Sequence, residues 1–150
     1  MITDPVTPVA PPPSMSAADA HLLTLAQDLL GRVWVHGRHE VATALRAADG
    51  RIYTGVHLEG SCRRSSICAE GIAMGAARTH MEPGAPLTIE AVVSVQIKPA
   101  GQYRIIAPCG VCRELISDYS PDALVWITNE AGVEAIHAID LLPSKTRRVW

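Results

Sequence analysis

Phenylalanine is missing altogether from these 150 residues, and the remaining large aromatics amount to three tryptophans and three tyrosines. A flat surface for gripping a ring-shaped ligand must then come from tryptophan, tyrosine or histidine, which still offer a π-face. No apolar run approaches the ~20 residues that cross a bilayer as a helix, so no membrane partner is expected. Excess positive charge is missing too. Thirteen Lys and Arg stand against fifteen Asp and Glu for a net −2, which leaves no electrostatic footprint for nucleic acid and makes a small-molecule substrate the better expectation. The opening stretch MITDPVTPVAPPPS has neither a charged n-region nor an apolar h-region, as a secretory leader would. The four cysteines are therefore expected as reduced thiols in a cytoplasmic setting, serving metal or catalysis rather than disulfides.

What is present reads as one compact domain. Apolar residues make up 48% of the chain, and the length suits a single core. Residues 1–15 are rich in proline with almost no apolar periodicity, and are expected to form a flexible tail ahead of a domain over 16–150. Ser16 followed by Asp19 reads as a helix start, and Leu22, Leu25, Ala26 and Leu29 share a face up to Gly31. EVATALRAADGRIYTGVHLE reads as two strands around Asp49-Gly50, a two-residue hairpin signal. CAEGIAMGAARTH follows as a helix whose small residues suit close packing. LTIEAVVSVQIK is a long strand ended by Pro99 and Gly101. CGVCRELISDYS is a short helix, and ALVWITN and VEAIHAID are strands joined too tightly for a parallel crossover, hence antiparallel. The order α, β, β, α, β, α, β, β predicts one five-stranded mixed sheet covered by helices.

Chemistry gathers in ICAEG and APCGVCRE. Cys68 opens one helix, and Cys109 and Cys112 open the next. Helix N-termini present free N–H groups and partial positive charge, which favour thiolates. Three thiolates converging from two helix ends suit Zn2+, soft enough for sulfur and tetrahedral by preference. Glu70 lies two residues beyond Cys68, within reach of the open fourth position. Water activated by zinc beside a carboxylate is the equipment for hydrolytic attack on an electrophilic carbon. The competing reading is a structural knuckle closed by Cys62 as fourth ligand, whose spacing fits poorly and which leaves Glu70 without a task. Arg113, next to Cys112, either supplies compensating hydrogen bonds to the site or is a solvated helix residue. Arg63-Arg64, in the loop leading to Cys68, either binds an anionic group or forms a solvated charge pair.

Cys-Ala-Glu followed by Pro-Cys-x-x-Cys resembles the zinc-dependent cytidine deaminase superfamily, over about Val41 to Trp150. That resemblance implies an α/β, cytidine-deaminase-like three-layer fold with helices on both faces of the sheet. It also implies a zinc aminohydrolase in which Cys68, Cys109 and Cys112 hold the metal and Glu70 shuttles protons. Cysteine as first ligand points to the branch acting on free nucleosides. DGRIYTGV, PCGVCRE and LLPS resemble blasticidin S deaminases, whereas the length and glutamate of the loop VHLEGSCRRSSICAE resemble cytidine deaminases. In the latter an Asn-x-Glu pair holds the ribose 3′-hydroxyl; Glu59 matches that glutamate, His57 replaces the asparagine, and Arg63 stands where tyrosine is usual. The arginine that usually follows Cys-Ala-Glu is Gly71. By the same resemblance, backbone groups at Ala69 and Ala107 would bind the amide-like face of the base. His39 and Trp150 fall where the family places stacking rings, the latter often across a subunit boundary, although His39 also reads as a surface residue. A homotetramer, or a homodimer, is implied. The non-enzymatic alternative is a zinc-binding scaffold that keeps the fold without the chemistry.

Overall fold

The computed structural model describes residues 6–97 and 101–150, with the side chain of Arg63 outside that description. The start of the expected tail and the strand end at Pro99 fall outside it as well. Three α-helices cover a six-stranded sheet, with α1 at Ala17–Val33, β1 at Val41–Ala47, β2 at Ile52–Val56, α2 at Ala69–Thr79 and β3 at Ile89–Ile97. Then come β4 at Tyr103–Ile105, α3 at Gly110–Tyr119, β5 at Leu124–Asn129 and β6 at Gly132–His137. Strand order is β2-β1-β3-β5-β6, with β4 paired to β3. All pairings are antiparallel except β3 with β5.

Strand alternation sends β3 side chains to two cores. Ala91, Val93 and Val95 meet Leu22, Leu23, Ala26 and Leu30 of α1 on one face. Val92, Leu45 and Val125 meet Ala73, Met74 and Ala77 of α2 and Ile116 of α3 on the other. This is the expected three-layer arrangement, and the last two strands pair antiparallel as expected. The sixth strand is a correction: β4 takes three residues from QYRII and pairs Tyr103, Arg104 and Ile105 with Ile97, Gln96 and Val95. So short a strand lies below the length at which alternation declares itself.

Local chemistry explains the element ends. The Ser16 hydroxyl accepts from Asp19 N at 3.1 Å, which caps α1. Asp19 itself is buried and accepts from Trp126 Nε1 and Arg46 Nη2, both at 2.8 Å, tying α1 to β5 and β1. The hairpin differs from the expected two-residue turn. Ala47 N bonds Arg51 O and Gly50 N bonds Ala47 O, so Ala48, Asp49 and Gly50 form the connection, with Gly50 at φ 86°. That is a three-residue loop closing on a left-handed glycine. At Gly55 on β2, a Cβ would come within 2.5 Å of Ala69 O and 2.6 Å of Ala73 N. Its bare backbone lets the start of α2 press against the sheet, which sets where Cys68 and Glu70 sit.

The proline-rich N-terminal segment is described in part. From residue 6 onward it lies against the α1 face: Thr7 N bonds Gly101 O, Tyr103 N bonds Thr7 O, and Val9 N bonds Gln27 Oε1. Val6 and Val9 pack on the core there. Met15 joins the same core, and the prolines between bring no N–H donors that need partners.

Candidate metal centre and substrate cleft

Cys68 is the N-cap of α2 and Cys109 the N-cap of α3, and neither helix start has a side-chain capping bond. Cys112 sits one turn into α3 and is buried. The three Sγ atoms lie within 4.8 Å of one another, with Cys68 and Cys109 at 3.5 Å. Among the described residues Cys62 is no part of this cluster; it is exposed in the loop before α2. The four-cysteine knuckle therefore lacks its fourth ligand. Burial first, then the neighbouring Cys109, pushes the Cys68 thiol up to about 11. Burial and the negative charge of Glu70 push Cys112 far up as well. Burial would also raise Cys109, but N–H groups of Cys112 and Val111 and the adjacent thiols outweigh it and hold that thiol low. Three thiols so crowded, two of them pushed toward the neutral form chiefly by burial, form a donor set that a soft divalent cation completes. Zinc fits: three protein ligands leave its fourth position for water or substrate.

Glu70, in the first turn of α2, is 4% exposed. A buried carboxylate needs hydrogen-bond partners, and Ser94 of β3 donates to Glu70 Oε1 at 3.0 Å. Ser94 in turn lies 2.7 Å from Thr43 Oγ1 on β1. Sequence reasoning missed both hydroxyls. The available signal was a single serine inside the apolar run AVVSV and a threonine flanked by alanines in VATAL.

A cleft of about 280 Å³ opens over this cluster, lined by Cys68, Ala69, Glu70, Cys109, Ala107 and His57 together with Glu40, Val41, Gln96 and Ile106. Among the expected substrate contacts, His57, Ala69 and Ala107 line it. Glu40 and Gln96 line it without having been anticipated. A broader groove of about 850 Å³ runs between the N-terminal segment and α1, past Pro8, Val9, Asp28 and Tyr103, but contains none of the thiols. The smaller cleft is the one with chemistry.

The other expected contacts are placed differently. Glu59 stands beside the cleft, 3.3 Å from His57 Nε2 and 2.5 Å from the Ser66 hydroxyl, with its side chain 42% exposed. The Ser66 hydroxyl above all, helped by the His57 ring and the Gly60 N–H, holds its carboxyl below the usual range against the opposing effect of desolvation. His57 Nδ1 is shielded and has no hydrogen-bond partner among the described residues. His39 precedes β1 rather than lying in it, and its Nδ1 is 2.9 Å from His57 O. Trp150 is not brought to the cleft of its own chain. It packs on Tyr119 at the C-terminal end of α3, centroids 5.0 Å apart, while Lys145 and Arg148 grip Asp118. The side chain of Arg63 lies outside the described residues, and Arg64 is exposed and away from the cleft lining. Arg113 follows neither alternative: it donates to Pro108 O at 2.8 Å and Leu141 O at 3.2 Å. It therefore braces the turn that delivers Cys109.

Three thiols and a buried carboxylate at two helix starts, on a three-layer α/β sheet, define a zinc-dependent deaminase. A family model for the cytidine and deoxycytidylate deaminase zinc-binding region matches residues 16–128, and the chain belongs to that family. It is 31% identical to a blasticidin-S deaminase of Bacillus cereus over 139 residues, covering 90% of this chain and 96% of that one. To a cytidine deaminase of Halalkalibacterium halodurans it is 29% identical, covering 72% of this chain and 77% of the relative. Among solved structures, a cytidine deaminase from Burkholderia pseudomallei superposes with a TM-score of 0.68 at 26% identity, over 88% of this chain and 100% of that one. The cytidine deaminase from Bacillus anthracis gives 0.70 at 21% identity, over 85% and 88%, a likeness of fold. The protein is thus a zinc-dependent aminohydrolase acting on cytosine-like substrates.

Proposed function

We propose that the substrate is a free cytosine nucleoside, cytidine or deoxycytidine, or a close analogue, and that its amine is released as ammonia. The observation that carries this reading is the placement of buried Glu70 at one cleft with three clustered thiols and His57. Cys68, Cys109 and Cys112 would hold the zinc, which when bound would supply the Lewis acidity that makes water a competent nucleophile near neutral pH. Glu70 takes a proton from the attacking water and delivers it to ring N3 as the new C–O bond forms at C4. It then carries the remaining hydroxyl proton to the departing amine; the C4–N bond breaks, and the carbonyl forms. Backbone groups at Ala69 and Ala107 orient the amide-like edge of the base.

The sugar end falls to His57 and Glu59. His57 lines the cleft with Nε2 3.3 Å from Glu59, and the Glu59 carboxylate is the acceptor that a ribose 3′-hydroxyl would meet there. His39 sits next to the rim as a candidate stacking ring, and Arg63 follows on the same loop. The blasticidin-S-type alternative is favoured by the likeness over nearly the whole chain. A panel of cytidine, deoxycytidine, free cytosine and blasticidin S, with ammonia release measured for each, separates the two. Turnover of the nucleosides with weak turnover of cytosine supports the first reading; turnover of blasticidin S alone replaces it.

The chain assembles as a homotetramer in this reading. Support comes from the outer face of α2, where Gly71 and Gly75 border a hollow with Leu115 and Tyr119 that admits a close helix contact. Sedimentation at only 16.0 kDa would overturn that. Among the described residues no helix is long and apolar enough to cross a membrane. Four free cysteines suit a reducing, cytoplasmic setting.

A further inference from the structure

Thr43 and Ser94 are directly opposed partners in the β1–β3 ladder, 0% and 3% exposed, on the face that packs against α2. Leu45 and Val92, their neighbours on that face, are apolar. Hydroxyls so deep need partners for both of their protons. One mutual bond at 2.7 Å uses only one proton, and Glu70 Oε1, 3.0 Å from Ser94, is the acceptor for the other. That fixes the direction. Ser94 commits its proton to Glu70, so Thr43 must donate to Ser94. The reverse orientation would leave the Thr43 proton unused and turn lone pairs of Ser94 toward a carboxylate.

We propose that Thr43 and Ser94 form an oriented hydroxyl relay that holds the Glu70 carboxylate by one oxygen and leaves Oε2 facing the cleft for proton exchange with substrate. Both are positioning residues, and the relay rests on the reading of Glu70 as proton carrier. A carboxylate anchored to the sheet through a single oxygen keeps its second oxygen in one place through two successive proton transfers. Acid–base catalysis needs that placement as much as it needs the group itself. The anchor lies in the central strands β1 and β3, whereas Glu70 rides on α2, so the relay also ties the helix start to the sheet.

The test uses the zinc-loaded enzyme with cytidine. Ser94→Ala should lower kcat roughly ten- to a hundredfold, the worth of a hydrogen bond to a charged group, with KM within about twofold and zinc content unchanged. Thr43→Val, acting through Ser94, should lower kcat by about three- to tenfold, and Thr43→Ser should restore it. In the double variant the Thr43 effect should vanish, because the relay is already cut. Thermal melting is followed in parallel, since a purely structural pair would shift melting and leave the ratio of kcat to KM alone. Independent, multiplying effects of the two substitutions on kcat, or full kcat in Ser94→Ala, would overturn the relay. If Ser94→Ala does not fold, Thr43→Val against Thr43→Ser decides by the same criterion. Turnover persisting in Glu70→Ala would remove the proton-carrier reading itself, whereas an inactive Glu70→Ala beside a fully active Ser94→Ala condemns the relay alone.

Discussion

The floor of the cleft and its rim are built on different terms. On the floor, Cys112 and Glu70 are 2% and 4% exposed, each in the first turn of a helix pressed on the sheet. On the rim, Glu59 is 42% exposed in an irregular loop, while Trp150, expected there, is instead 72% exposed at the far end of α3. In the proposed reading the floor acts on the reacting carbon and tolerates little displacement, which suits burial and regular structure. The rim would then choose the substrate, and loops leave such contacts free to vary. Of the departures from the family pattern, His57 for asparagine falls at the cleft beside Glu59, whereas Gly71 for arginine directly follows Glu70 on the floor.

The sharpest break is made at the floor. Cys109→Ala should drop zinc below about a tenth of an equivalent per chain, abolish turnover and destabilise the fold, because site and helix starts form together. Metal analysis showing full retention would remove the three-thiol assignment. Next in size, Glu70→Ala should keep zinc and fold but lower kcat by ~10²–10⁴-fold or more, the range for acid–base groups. A variant retaining over a tenth of kcat would place the base elsewhere.

Legibility in the sequence follows the same division. Cys68, Cys109, Cys112 and Glu70 could be read because short-range spacing fixes them to two helix starts, and the structure brings them together. Helix and strand order could be read from periodicity. β4 could not, because its three residues gain strand character only by pairing with β3. Ser94 and Thr43 are 51 residues apart and meet through register, which no local pattern encodes. Arg113 read either as a partner for the site or as a solvated helix residue, yet its bonds go to the backbone of Pro108 and Leu141, and Leu141 lies 28 residues onward. Trp150 was assigned by its place after LLPS, whereas the ion pairs of Lys145 and Arg148 with Asp118 and of Arg147 with Asp122 show where the tail runs.

At the rim the effects should be smaller. A buried Glu59 would have given ten- to a hundredfold discrimination for the ribose hydroxyl. Its exposure cuts that expectation, since solvent-screened charge interactions are worth at most a few-fold. Glu59→Gln should raise KM for cytidine about two- to fivefold, leave kcat unchanged and hardly alter the rate on free cytosine. Because Ser66 and His57 hold the carboxyl low, this contribution should persist above the ordinary carboxylate pKa of about 4.3. It should fade only as pH falls through the lowered value. Equal loss on both substrates would make Glu59 structural and strengthen the blasticidin-S-type alternative.

The smallest expected effect belongs to Trp150, and it decides whether the rim is one chain's work. Within the chain, α3 separates this ring from the thiols: ten residues at about 1.5 Å each put its two ends some ~15 Å apart. The ring is already engaged, with the Arg148 guanidinium 4.1 Å above it and its Nε1 donating to Asp118 O at 3.4 Å. Trp150→Ala should therefore leave kcat/KM for cytidine within about twofold and, with the ring mostly exposed, cost at most about 1 kcal/mol of stability. A KM raised more than tenfold with kcat intact would show the ring serving another chain's cleft. In that case, mixing inactive Glu70→Ala chains, which keep zinc and fold, with Trp150→Ala chains should restore low-KM turnover, because each cleft with an intact Glu70 could borrow its ring from the neighbour.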